Sequence, residues 1–175
     1  MNGKFVAGGI VLTAIVFGAG LYYSQIYAYY KPIDANAPAA TVRLTTFDGV
    51  TEDILAENFN GIDADTSPIK FRACFTTPLS LPMMTETFKP YTDAAPLVAQ
   101  KWFDCFDAGR IGADIEAGTA VAFLGEENAP YGIDRVVAVY PDGRGYAWNQ
   151  INHCGAAVFD GDPAPADCPP APEGN

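Results

Sequence analysis

Residues 5 to 23, FVAGGIVLTAIVFGAGLYY, carry no charge, and no other feature restricts this chain so tightly. At the helical rise these 19 residues span roughly 28 Å, close to the hydrocarbon thickness of a bilayer. A single spanning helix is expected. Gly8, Gly9, Gly18 and Gly20 would weaken a helix in water, but a segment in lipid must satisfy its backbone internally and has no other form available. Tyr22, Tyr23, Tyr27, Tyr29 and Tyr30 follow at once and read as an aromatic belt in the headgroup layer. Residues 1–30 are thus expected to form an anchor. A cleavable signal cut near Gly18-Ala19-Gly20 is the competing interpretation; the apolar run is too long for a usual signal core, so the uncleaved anchor is preferred. Lys4 and the amino terminus on one side, against Lys31 on the other, favour a cytoplasmic N-terminus and a body in the periplasm. Inner-membrane lipid is the first expected partner. The small-xxx-small pairs Ala14/Gly18 and Gly20/Ser24 offer a seat for the helix of a membrane-protein partner.

The chain of 175 residues holds 10 Lys and Arg against 21 Asp and Glu, a net charge of −11. Because Lys4 and Lys31 are the only charges in the first 31 residues, the remainder is a water-facing body with 8 bases and 21 acids. No basic surface for nucleic acid is expected on it.

Cys74, Cys105, Cys154 and Cys168 are an even number in a chain expected to be exported, which makes two disulfides the default. Of the three possible pairings, Cys74 with Cys105 and Cys154 with Cys168 is preferred. The first two sit in apolar segments and the last two bracket a Pro-rich tail. No CxxC occurs, and the spacings match no zinc finger or ribbon. A copper site from His153, a thiolate and Met83 or Met84 fails because oxidised sulfur is no ligand, so no metal or other cofactor is expected.

The expected fold class is α+β: the anchor, then a small disulfide-stapled domain with a mainly antiparallel sheet and one or two short helices. Residues 31–40, KPIDANAPAA, read as an extended linker, 41–155 as the body and 156–175 as a tail tethered through Cys168. Within the body, Thr41 to Phe47 and Ile69 to Thr76 alternate as strands, the latter with Phe71, Ala73 and Phe75 on its apolar face. Glu52 to Phe59 suggests a short helix, Met83 to Phe88 a helical turn, and Asp107 to Glu116 a helix stopped by Gly118. Thr119 to Leu124, Asp134 to Tyr140 and Tyr146 to Ile151 are strands, with a hairpin centred on Asp142-Gly143. The tail holds too much Pro for a helix or central strand.

Little in the residues points to catalysis, and no enzyme activity is expected. Asp63, Asp65 and Ser67 imitate the start of a calcium loop, but Pro68 stands where its Gly belongs and Cys74 where its Glu belongs. There is one histidine, and none of the three serines stands in GxSxG. A phosphate-binding glycine loop is also missing. One patch is a candidate for partner binding: Tyr131, Tyr146 and Trp148 beside Arg135 and Arg144 on the hairpin, with core packing of the aromatics as the plainer explanation.

Taken together, MNGKFVAGGIVL, SPIKFRACFTT, WFDCFD, YGIDRVVAVYPDGRG and WNQINHCG resemble a family of short, uncharacterised, single-pass membrane proteins from alphaproteobacteria. The resemblance covers nearly the full chain and implies a periplasmic body with no established catalytic residues. Members sometimes carry the label "histidine kinase", an activity that needs a phosphoacceptor histidine on a helical hairpin and a nucleotide-binding domain. His153, expected beside a turn in an exported body, fits neither. The expected role is that of a non-catalytic accessory or interaction subunit of an envelope complex. The alternative is a small periplasmic ligand-sensing or metal-handling module near the hairpin and His153.

Overall fold

The computed structural model describes residues 3–172, so the extreme ends of the expected anchor (1–2) and of the expected tail (173–175) lie outside the described residues. Two compact units divide at Tyr30 and Lys31. The first is helix α1 (Gly3–Tyr23), continued by a π-helical turn Ser24–Ala28. Its mean hydropathy is 2.0 over the best window and none of that window is buried by protein. Thr13 and Ser24 return their hydroxyls to the carbonyls of Gly9 and Gly20, a bond that hides a polar side chain inside an apolar helix. This helix is a candidate membrane anchor.

The second unit is built on a six-stranded antiparallel sheet of β1 (Lys31–Pro32), β4 (Glu57–Asp63), β5 (Arg72–Thr76), β8 (Arg144–Ile151), β7 (Ile133–Val139) and β6 (Val121–Glu126), in that spatial order. A separate hairpin pairs β2 (Arg43–Thr45) with β3 (Thr51–Asp53) around the Asp48-Gly49 turn. The chain is α+β as expected, and the Asp142-Gly143 hairpin is present, with Gly143 at φ +84° and its would-be Cβ 2.6 Å from the Thr77 carbonyl. Helices α2 (Leu81–Thr87), α3 (Ala108–Glu116) and α4 (His153–Phe159) complete the body. Asp107 caps α3 by accepting from the Arg110 amide, and Gly118 ends it at positive φ, as the sequence pattern predicts.

Both faces of the sheet are covered. Phe71, Ala73 and Phe75 of the β5 segment meet Phe123, Val137, Val139 and Ala147 on one face, under the β2–β3 hairpin and Met84 of α2. On the other face lie Arg72, Cys74, Tyr146 and Trp148, which the sheet register sets side by side. The segment from Tyr91 to α3 wraps this face. Phe106 stands edge-on to both Tyr146 and Trp148, and Tyr140 donates its hydroxyl to Asp114. Arg72, though buried, gives its guanidinium to the carbonyls of Ile69, Phe71 and Leu97 and so pins the wrapping segment. Gln150 does the same through the Ala95 amide and the Asp93 carbonyl. The outer edge of β6 is also paired, because Leu124 and Tyr91 amides bond to Lys89 and Ala122 carbonyls across the strand.

The disulfides are Cys74–Cys105 and Cys154–Cys168, the preferred pairing, and no cysteine is free. Four expectations fail. Glu52 to Phe59 is not a helix: Thr51–Asp53 pairs back on Arg43–Thr45, with Arg43 bridging Asp53, and Glu57–Asp63 joins the main sheet. Its apolar residues do not face one core, since Leu55 is exposed while Phe59 packs against the core cluster. Residues 31–40 are no free linker, for Lys31–Pro32 pairs with Ile62 and Asp63 and Ala40 is buried. His153, expected beside a turn, instead opens α4, because the Asn152 side chain accepts from the Gly155 amide and caps a helix. Nor is the tail held by Cys168 alone: Tyr131 donates its hydroxyl to the Pro169 carbonyl, and His153 meets Asp167.

Candidate functional site

The strands β4, β7 and β8 bring three loops together at one end of the sheet: 64–71, 127–132, and the turn from Ile151 into α4. Asp134 at the start of β7 organises them. Its carboxylate is buried and accepts from the Asn128 amide, the Asn152 side-chain amide and the Tyr91 hydroxyl. Burial, the Asp134 charge and that hydrogen bond push the Tyr91 phenol well above its usual range, so it stays a donor at any physiological pH. Asn128, at φ +51°, adds its carbonyl oxygen to the Gly132 amide and to Asn152.

Helix α4 approaches this knot as closely as backbone permits. A Cβ on Gly155 would stand 2.2 Å from the Gly132 carbonyl oxygen, and one on Gly132, itself at φ +78°, 2.6 Å from Gly155 Cα. Both contacts are to backbone and cannot yield locally. The variant Gly155→Ala is therefore expected to lift α4 from the sheet at a cost of about 1–3 kcal/mol. Faster amide exchange over residues 153–159, with the β5 amides unchanged, would report it.

Between the loops runs a furrow with a polar and an apolar half. The polar half is a cavity of about 450 Å³ lined by Asp63, Asp65, Ser67, Pro130, Arg135 and Asn149. The apolar half, about 410 Å³, shares Ser67, Pro68 and Pro130 and continues over Ile69, Ile133, Ile151 and Phe159. Ile151 and Phe159 remain 44% and 50% exposed there. Arg135 forms part of the polar wall. Its guanidinium carbon lies 3.6 Å from the Phe71 ring centroid and its Nε donates to Asn149 Oδ1 at 2.9 Å. Asn149 is fixed in turn by donating to the Pro68 carbonyl. Among the described residues no carboxylate forms an ion pair with Arg135, and no acceptor takes a hydrogen bond from its Nη groups. Burial pushes the Arg135 pKa down, opposed by the charges of Glu126 and Asp63, and the group remains a cation. The arrangement is a stacked, oriented guanidinium with donors to spare beside an apolar trough.

Asp63 faces the same cavity, and burial raises its pKa from the ordinary 3.8 against the lowering effect of the Ala64 amide and of Arg135. Its folded state thus holds the proton more tightly than the unfolded state does. The stability this contributes is complete below the unfolded value and is lost as pH rises through the folded one. Accordingly Asp63→Asn is expected to melt higher than the parent at pH 7 and together with it below about pH 3.8. Paired thermal melts across pH 3 to 8 would show the gap opening as pH rises.

The residues expected to form one partner patch are divided. Tyr131 and Arg135 belong to the furrow. Arg144 sits at the opposite end of β8, paired with Asp142 and stacked on Tyr140. Trp148 is fully buried and Tyr146 half-buried on the face that Phe106 covers. Asn149, Ile151 and Phe159 line the furrow without any signal that singled them out in the sequence. The Asp63–Ser67 turn, noted there only as a failed calcium loop, supplies one wall.

Residues 42–169 match a family of unknown function (DUF6446), a span that takes in the furrow, both disulfides and all of the main sheet beyond β1. The chain belongs to this family. No curated protein and no solved structure matches it. The family assignment therefore agrees with the resemblance in the sequence at the level of an uncharacterised group, and function rests on the site itself.

Proposed function

We propose that this chain is a non-catalytic, membrane-anchored periplasmic protein that serves as an accessory or interaction subunit of an envelope complex. The furrow is the surface through which it engages that complex. One observation carries this reading: Arg135 is stacked on Phe71 and aimed by Asn149, yet leaves its outer donors unused beside exposed Ile151 and Phe159. A guanidinium held in this way is preorganised for a carboxylate or carbonyl from outside, and the apolar trough adds area to the contact. The apolar helix Gly3–Ala28 and the two disulfides support an anchored body in an oxidising compartment.

A photo-crosslinking residue at Phe159 in native membranes tests the role, with Leu55, exposed at the other end of β4, as control. The expected result is one discrete protein adduct from Phe159, weakened several-fold by Arg135→Gln and missing from Leu55. Adducts with lipid and self alone, from both positions, would end the proposal. A C-terminal alkaline phosphatase fusion tests the topology separately, and an inactive fusion would reverse it.

A further inference from the structure

Three donor atoms, from His153, Cys154 and Cys168, converge where α4 meets the tail, and the Asp167 carboxylate meets the histidine beside them. His153 Nε2 lies 3.0 Å from Asp167 Oδ2, 3.4 Å from Cys168 Sγ and 3.6 Å from Cys154 Sγ. A tetrahedral zinc ion with bonds of ~2.0–2.1 Å to nitrogen and oxygen and ~2.3 Å to sulfur requires N···S edges of about 3.6 Å and an N···O edge of about 3.3 Å. The two N···S edges are already close to these lengths and the N···O contact is somewhat shorter, while Asp167 stands outside the group of ligand atoms within 4.8 Å of one another. The sulfurs are held at 2.05 Å by their bond, whereas two thiolates on one ion stand about 3.8 Å apart. Among the described residues no such group of ligand atoms surrounds the other disulfide, where the Asn60 side-chain amide stands 3.9 Å from Cys105 Sγ.

We propose that reduction of Cys154–Cys168 uncovers a site for a zinc-class divalent cation, with His153, Cys154 and Cys168 as three ligands, Asp167 as the partner that orients His153, and a water or carboxylate oxygen in the fourth position. In the oxidised protein the disulfide masks the site. A dithiol donor supplies the two electrons: the S–S bond breaks, two cysteine thiols form, and the donor leaves as its own disulfide. Cation binding then releases both thiol protons to solvent. Mixed nitrogen, oxygen and thiolate donors suit zinc in preference to calcium or magnesium.

Two features keep the ligands together once the bond is cut. His153 and Cys154 are on α4, which is fixed by the Asn152 cap and the Gly132–Gly155 contact. The tail stays near through the bond of Tyr131 to the Pro169 carbonyl and the turn that joins the Cys168 amide to the Pro165 carbonyl. The site is also open to reagents. His153 and Asp167 side chains are 62% and 73% exposed and Cys168 is half-buried, while Cys154 is buried; in the other bridge Cys105 is exposed and Cys74 buried. Each bridge thus pairs a buried cysteine, Cys74 or Cys154, with a more open one, so the reduced species is identified by mass and not presumed from exposure.

The test is an anaerobic titration of the full chain in detergent with cobalt(II), after limiting treatment with a phosphine reductant and its removal. Alkylation and mass analysis confirm that Cys74–Cys105 is intact in the sample. The expected result is one equivalent of cobalt with the intense visible bands of tetrahedral coordination and a thiolate-to-cobalt band, bleached by zinc. Oxidised protein shows neither. His153→Ala and Asp167→Asn, both at exposed positions, are expected to bind at least about tenfold more weakly, since even the loss of an outer-shell partner costs that much. Equal binding by oxidised protein, a weak octahedral spectrum, no binding, or unchanged affinity in His153→Ala would each overturn the proposal. The last outcome would mean that the thiols act alone.

Discussion

Trp148→Ala is expected to destabilise the body by roughly 3–5 kcal/mol, as large aromatic truncations in closed cores do. The indole is fully buried between Phe106 and the sheet, and its Nε1 donates to Gln150 Oε1 at 3.0 Å. Gln150 keeps its bonds to Ala95 and Asp93 when the indole is gone, so the loss is chiefly that of a cavity rather than of an orphaned polar group. Whole domains are stable by about 5–15 kcal/mol, so this one change consumes a large share. Denaturant unfolding of the full chain in detergent would measure it as a fall in midpoint at unchanged slope. Trp102 is the second of the two tryptophans, and its emission alone remains in the variant. Trp148→Phe, which keeps an aromatic edge for Phe106, is expected to lose markedly less.

Removing the Cys74–Cys105 bridge by a double serine substitution is the second large effect. The bond closes a loop with a sequence separation of 31, worth about 4 kcal/mol in chain entropy, against about 3 for the separation of 14 at Cys154–Cys168. For a chain of this size the first loss corresponds to a melting temperature lower by roughly 10 °C. It falls on the same layer as Trp148, because Cys105 adjoins Phe106 and fastens the segment that covers Tyr146 and Trp148. The two changes should therefore be less than additive: a wrapping segment already loosened has less packing to lose. Thermal melts of the two single constellations and their combination would show that coupling. Full additivity would mean that the bridge and the aromatic cluster stabilise separate parts of the body.

Local chemistry explains which elements were legible in the sequence. The Asp142-Gly143 turn, the Asp107 cap with Gly118 beyond it, and the alternation of Phe71, Ala73 and Phe75 each need only a few neighbouring residues to be recognised. Helix α4 was hidden because seven residues make too short a period, and its cap, Asn152, looks like any strand-end polar residue until Asn128 and Asp134 are beside it. The β3 and β4 strands were obscured because the few apolar residues there serve different surfaces, Leu55 outward and Phe59 inward, and show no clean alternation. The partner patch failed as a unit for a related reason. Neighbouring aromatic and basic residues on one hairpin alternate between faces, and a sequence does not say which face another segment will cover.

An uncharged run of spanning length, an acid-rich remainder and an even set of cysteines were fixed by composition and order, since hydropathy, charge and loop closure are properties of a chain taken along its length. The furrow around Arg135 and the convergence of His153 and Asp167 on one disulfide were decided only in three dimensions. Each depends on contacts among segments far apart in sequence, chosen by which loops one end of a sheet brings together, and no local pattern encodes that choice.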